Sequence, residues 1–162
     1  MRNYYYKHLH WLWLSMVIIV IDQWTKNLAV ANFKLHVLKP VTSFFNFTLA
    51  YNTGAAFSFL NDAGGWQRWF FIITTIIIII GLLVWLLNLD KHDKYSVLGI
   101  SLIIGGALGN LWDRIIYGYV IDFLDFHINT WHWPAFNIAD SAITIGAILL
   151  LIPMIISTSK ST

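Results

Sequence analysis

Residues 69–87 contain only two polar side chains, Thr74 and Thr75, and this run constrains the fold more than any other feature of the chain. A helix rises about 1.5 Å per residue, so about 20 apolar residues cross the hydrocarbon core of a bilayer. Backbone groups find no water there, and a helix satisfies them internally. Two further runs fit the same description. Residues 95–112 carry no charge and end at Asp113-Arg114, and residues 141–156 contain Pro153 near their far end. Another apolar stretch, residues 11–21, is short, and Asp22 and Lys26 interrupt it before Leu28, Ala29 and Val30 resume. A secretory leader cleaved near Ala29-Val30-Ala31 is one reading. The preferred reading is one helix over about 11–31, because Asp22 and Lys26 stand in the favoured i, i+4 order for an ion pair.

Composition agrees. Hydrophobic residues make up 58% and charged residues 11% of the 162 positions, where a soluble domain carries about 25% charge. The net charge of +2, without any basic run, argues against nucleic acid as a partner. Cysteine is absent, which excludes disulfides, thiolate metal sites and a cysteine nucleophile. The chain therefore reads as a single integral membrane domain, 1–162, mainly α. It is expected to have four transmembrane helices (about 11–31, 68–88, 95–115 and 138–157) and two outer connections (about 32–66 and 117–137). Arg2, Lys7, Lys91, Lys94 and Lys160 then outnumber Lys34, Lys39 and Arg68 on the side of the termini, which favours cytoplasmic termini. Tyr4-Tyr5-Tyr6, Trp11 and Trp13 read as an interfacial aromatic belt.

The first outer connection carries a strand signal: Phe45, Phe47, Leu49 and Tyr51 alternate with Asn46, Thr48, Ala50 and Asn52, and Thr53-Gly54 breaks the pattern. A small sheet at the membrane surface follows. The second connection holds Asp122, Asp125, His127 and His132 among aromatic residues, so an interfacial segment is expected there. It delivers Asp122 to the same face as Asp140, which opens the fourth span.

The chain has no Glu, so eight Asp supply every side-chain carboxylate. Asp62, Asp90 and Asp93 lie in connections where water can hold them, and Asp125 is expected to be exposed. Asp22 with Lys26, and Asp113 with Arg114, combine opposite charges and are read as structural pairs that lower the cost of charge at membrane depth. Asp122 and Asp140 remain. Two carboxylates in one place share a proton, the arrangement that activates water for peptide hydrolysis. A helix N-terminus favours ionisation of Asp140 first. Asn110 and Asn137, each three residues before an Asp, are expected to orient carboxylates or satisfy backbone. Gly105, Gly106 and Gly109 suit close helix packing. His127 and His132 lack the spacing of a zinc motif, so neither metal nor cofactor is expected. A small ion-coupled transporter or channel using Asp22, Asp113, Asp122 and Asp140, and a scaffold with a structural dyad, are the rival readings.

Five blocks resemble the lipoprotein signal peptidases, the signal peptidase II family. They are Asp22-Gln23-Trp24-Thr25-Lys26, the run from Tyr51 to Ser58, the run from Gly105 to Arg114, Val120-Ile121-Asp122-Phe123, and Phe136 to Ser141, in family order. The resemblance implies four spans with a small outer sheet and an interfacial helix. It implies an aspartic endopeptidase of the bacterial inner membrane, acting at the periplasmic face. Its substrate would be a prolipoprotein cut just before a diacylglyceryl-modified cysteine. By matching position, Asp122 and Asp140 would be catalytic, and Asn52, Gly54, Asn110, Arg114 and Asn137 would line or brace the site. The partners implied are that substrate, membrane lipid and a globomycin-type cyclic peptide inhibitor, and the protein is expected to act as a monomer.

Overall fold

The computed structural model describes residues 8–54, 64–90 and 93–159, with side chains as far as Ile152. The tyrosine tract at 4–6 and the Ala55–Ser58 part of the second block lie outside these residues. A single 3-10 turn, Leu9–Trp11, leads into helix α1, Leu12–Asn32. Asp22 and Lys26 both lie inside that helix and are buried, so the segment runs continuously through its charges. Strands β1 (Lys39–Pro40) and β2 (Phe45–Asn52) follow, then helices α2 (Trp66–Asn88) and α3 (Lys94–Ile116), strands β3 (Val120–Ile128) and β4 (Trp131–His132), and helix α4 (Ile138–Ser159).

Among the described residues, three helices, beginning at Leu9, Trp66 and Lys94, are long and apolar enough to cross a membrane, and Ile138–Ile152 forms a shorter apolar helix. α3 is the hub and packs against α1, α2 and α4. Its glycines make that possible. A Cβ on Gly106 would collide with the carbonyl oxygen of Ala139 in α4, and one on Gly109 would lie 2.6 Å from Asp22 Oδ2 in α1. Backbones meet closely where side chains are missing, which is how helices associate in lipid without a hydrophobic drive. Ser15 adds a buried bond from α1 to α3, donating to the Ser101 carbonyl at 2.6 Å. Asp93, expected only to be solvated, caps α3 by accepting from the Ser96 N–H at 3.0 Å.

The sheet is antiparallel in the order β1-β2-β3-β4 and stands at the end of the bundle where α1 and α3 finish and α2 and α4 begin. The alternation at 45–52 is indeed a strand, but its buried members include the polar Asn46 and Thr48, while Phe45 and Phe47 are only partly covered. A bulge between Phe47 and Ala50 resets the pairing so that Ala50 lies opposite Asp122. The second connection is not an interfacial helix. Its β-favouring residues Val120, Ile121, Phe123 and Ile128 extend along the open edge of β2, which would otherwise present unpaired backbone groups. Asp125 is likewise not exposed: it is 5% exposed, held by Asn46 and His132.

Candidate active site

Asp122 sits on β3 and is buried; Asp140 stands in the first turn of α4. Both line one cavity of about 730 Å³ together with Asn52, Asn110, Arg114 and Phe136. Asn137, just before α4, joins them. Its side-chain oxygen accepts the Asp140 N–H at 2.9 Å, and its own N–H points back to Asp140 Oδ2 at 3.3 Å. This reciprocal pair is a capping box, which places an acid at the third helical position and fixes its direction. The Asn137 amide nitrogen then donates to Asp122 Oδ1 at 2.7 Å and to the Ile121 carbonyl at 3.2 Å. A single asparagine thereby fixes the relative placement of the two acids.

Each carboxylate has a second donor. Asn52 Nδ2 reaches Asp122 Oδ2 at 3.1 Å, and Asn110 Nδ2 reaches Asp140 Oδ1 at 2.8 Å. Asn52 is itself held in an Asx turn, its side-chain oxygen accepting the Gly54 N–H at 3.0 Å. Arg114 Nη2 donates to the Gly54 carbonyl at 2.9 Å and its guanidinium lies over the Phe71 ring, 5.1 Å from the centroid. Gly54 thus ties the first connection to α3 through its carbonyl, while its N–H holds the Asn52 side chain.

Beneath the acids lies a fully buried ion cluster. The Lys26 ammonium meets Asp22 Oδ2 and Asp113 Oδ2, each at 2.8 Å, and Asn110 Oδ1 at 2.9 Å, so all of its protons have acceptors. Asp113 was expected to pair with Arg114. Neighbours on a helix point about 100° apart, so Asp113 turns instead toward Lys26, the Ile121 N–H at 3.2 Å and Gln23 at 2.8 Å, and Arg114 faces the cavity. Asp22 also accepts the Ala139 N–H at 2.9 Å, which locks α1 to the start of α4. Gln23, not singled out from the sequence, bridges Asp22 and Asp113. Its place in the Asp22–Lys26 block was the available signal.

Burial pushes the Asp122 carboxyl up to about 7, and the nearby Asp140 charge adds to the rise, against the hydrogen bonds from Asn52 and Asn137. A carboxyl that holds its proton near neutral pH beside a second acid can donate that proton in a reaction. Among the described residues, no group of three or more His, Cys, Asp or Glu is arranged to hold a metal ion. His127 and His132 stack on one another and do not line the cavity that the acid pair shares.

Two solved bacterial membrane enzymes, determined by the in meso method at 2.3 Å and 1.9 Å, superpose with TM-scores of 0.84 and 0.78. They are 35% and 36% identical, cover 94% and 90% of this chain, and are each covered over 92% of their own length. The fold is that of a bacterial membrane enzyme. The profile of the family described as signal peptidase (SPase) II matches residues 14–156. The lipoprotein signal peptidase of Alteromonas mediterranea is 51% identical over 146 residues, 90% of this chain and 80% of that protein. Its counterpart in Cupriavidus pinatubonensis is 52% identical over 145 residues, 89% and 81% of the two chains. The chain belongs to the signal peptidase II family and is a membrane peptidase.

Proposed function

We propose that the protein is an aspartic endopeptidase that removes the signal peptide of diacylglyceryl-modified prolipoproteins, cutting just before the lipid-bearing cysteine. The observation that carries this reading is the bridge made by Asn137, which holds Asp122 and Asp140 toward one cavity. The names of the relatives supply the substrate class.

Asp140, at a helix N-terminus and facing the Asn110 amide, is the ionised member and takes a proton from the attacking water. Asp122, with its raised proton affinity, donates to the scissile carbonyl as the tetrahedral intermediate forms. The proton gained by Asp140 then passes to the leaving amine. The pair titrates as a unit, and the return of one proton to Asp122 resets it. Asn52, Asn110 and Asn137 hold the acids; Arg114 and Gly54 brace the wall of the cavity; Asp22, Lys26 and Asp113 are structural. No metal or cofactor takes part. In this reading the enzyme sits in the inner membrane with both termini in the cytoplasm and its site at the periplasmic face, works as a monomer among membrane lipids, and is blocked by a globomycin-type cyclic peptide.

Cleavage of a lipidated prolipoprotein in detergent tests the reading. Asp122→Asn and Asp140→Asn should each lower the rate by about 10³-fold or more, and a chelator should leave it unchanged. Substantial activity in either variant, or loss on chelation, would overturn the dyad.

A further inference from the structure

A second carboxylate array lies on the sheet, outside the acid pair. Asp125 on β3 is 5% exposed, and a carboxylate so buried is costly unless its oxygens are occupied. They are: Asn46 Nδ2 on β2 donates at 2.7 Å, and His132 Nδ1 on β4 lies 2.9 Å from both oxygens. A carboxylate can only accept here, so Nδ1 carries the proton and donates. The side chain of His132 remains 35% exposed, and the ring of His127 stacks on it at 5.0 Å.

The strand that this array fastens is short. β4 has two residues, paired to β3 at His127 and Ile128 through a tight turn in which Asn129 takes a left-handed φ of 54°. So brief an edge ladder is held weakly by its backbone alone. Past β4 the chain continues along β3: Trp133 N donates to the Phe126 carbonyl at 2.8 Å and Phe136 N to the Leu124 carbonyl at 3.0 Å. Trp133, Pro134, Ala135 and Phe136 form one wall of the catalytic cavity, and the next residue is Asn137.

We infer that the Asn46–Asp125–His132 array is a clasp that positions the 133–136 wall of the cavity for substrate, with Asp125 and His132 as positioning residues that act on binding rather than on bond cleavage. The inference rests on the endopeptidase reading for its substrate. Asparagine can replace the Nδ1 donor of histidine, and phenylalanine cannot. His132→Phe should therefore raise KM about tenfold, the effect of losing one charge-assisted hydrogen bond, with kcat within about twofold. His132→Asn should keep the wild-type KM. Because the chain has no cysteine, a reversible version can also be built. His127 and His132 are directly paired across β3 and β4, so His127→Cys/His132→Cys should form a disulfide that replaces the clasp.

The oxidised form should show the wild-type KM and slow amide exchange over 131–136; the reduced form should show the tenfold rise in KM and fast exchange there. Equal KM and equal exchange in the two redox forms would overturn the clasp, as would a wild-type KM in a folded His132→Phe protein. Failure of the wild-type enzyme to cut the lipidated peptide would count instead against the endopeptidase reading, and the exchange measurement would still decide the clasp.

Discussion

The Lys26 ammonium lies 2.9 Å from the side-chain oxygen of Asn110, and this contact orients the amide that stands between the buried ion cluster and Asp140. Lysine only donates, so the oxygen of Asn110 must face it and the nitrogen must face Asp140, where it donates at 2.8 Å. A buried ion cluster in this family member therefore has an electrostatic reach into the cavity. It does more than hold α1 against α3.

Lys26→Met should be severely destabilising. It leaves Asp22 and Asp113 buried without their counter-charge, at a cost of about 3–5 kcal/mol. Thermal unfolding in detergent should show a large drop in Tm, and a melting temperature equal to the wild type would contradict the arrangement.

Activity should fall as pH rises above about 7, where Asp122 gives up its proton. Stability should run the same way over a lower window. The folded state keeps the Asp122 proton up to about 7, whereas the unfolded chain releases it near 3.8. Between those values the native state binds more protons, so this group's contribution weakens as pH rises and is flat outside them. Chemical denaturation of wild type and Asp122→Asn across pH 4 to 8 measures this contribution, and the fall of stability with pH should be shallower in the variant.

Asn137→Ala removes the cap of α4 and one of the two side-chain donors to Asp122 together. Loss of the cap should cost about 1 kcal/mol of stability. Loss of the donor removes a contact that lowers the proton affinity of Asp122, so the alkaline limb of the rate profile should move to higher pH while the maximal rate falls by roughly 10²-fold. A limb that moves to lower pH would contradict the assigned bond.

Gly109→Ala tests the close approach of α3 to α1. The new Cβ would stand 2.6 Å from Asp22 Oδ2, so the carboxylate must move away from Lys26 and from the Ala139 N–H. Overpacking of this kind should destabilise by about 2 kcal/mol, readable as a fall in Tm. Gly81, which has open space around its Cβ position, is the control and should tolerate alanine.

Much of the frame was legible in one dimension. Long apolar runs and the i, i+4 order of Asp22 and Lys26 announce the helices, and the alternation at 45–52 announces β2. The end of the bundle to which Asp122 and Asp140 are delivered also follows from chain order. Relations across the chain did not. Asp125 looks solvated until β2 is laid beside β3 and Asn46 arrives opposite it. Asp113 looks paired with its neighbour Arg114 until α1 brings Lys26 to its other side. The segment at 120–128 is short enough, and polar enough, that only the open edge of β2 decides in favour of a strand. In each case the deciding partner is distant in sequence, and local pattern carries no trace of it.

The acid pair draws its donors from elements far apart along the chain. Asn52 comes from the connection between α1 and α2, Asn110 from the body of α3, and Asn137 from the entry to α4. On the proposed dyad reading, a chain threaded into the bilayer with the α1–α2 connection on the wrong side would keep its two acids together but leave Asp122 without the Asn52 amide. On that reading, full activity reports that both connections have reached the same side of the bilayer.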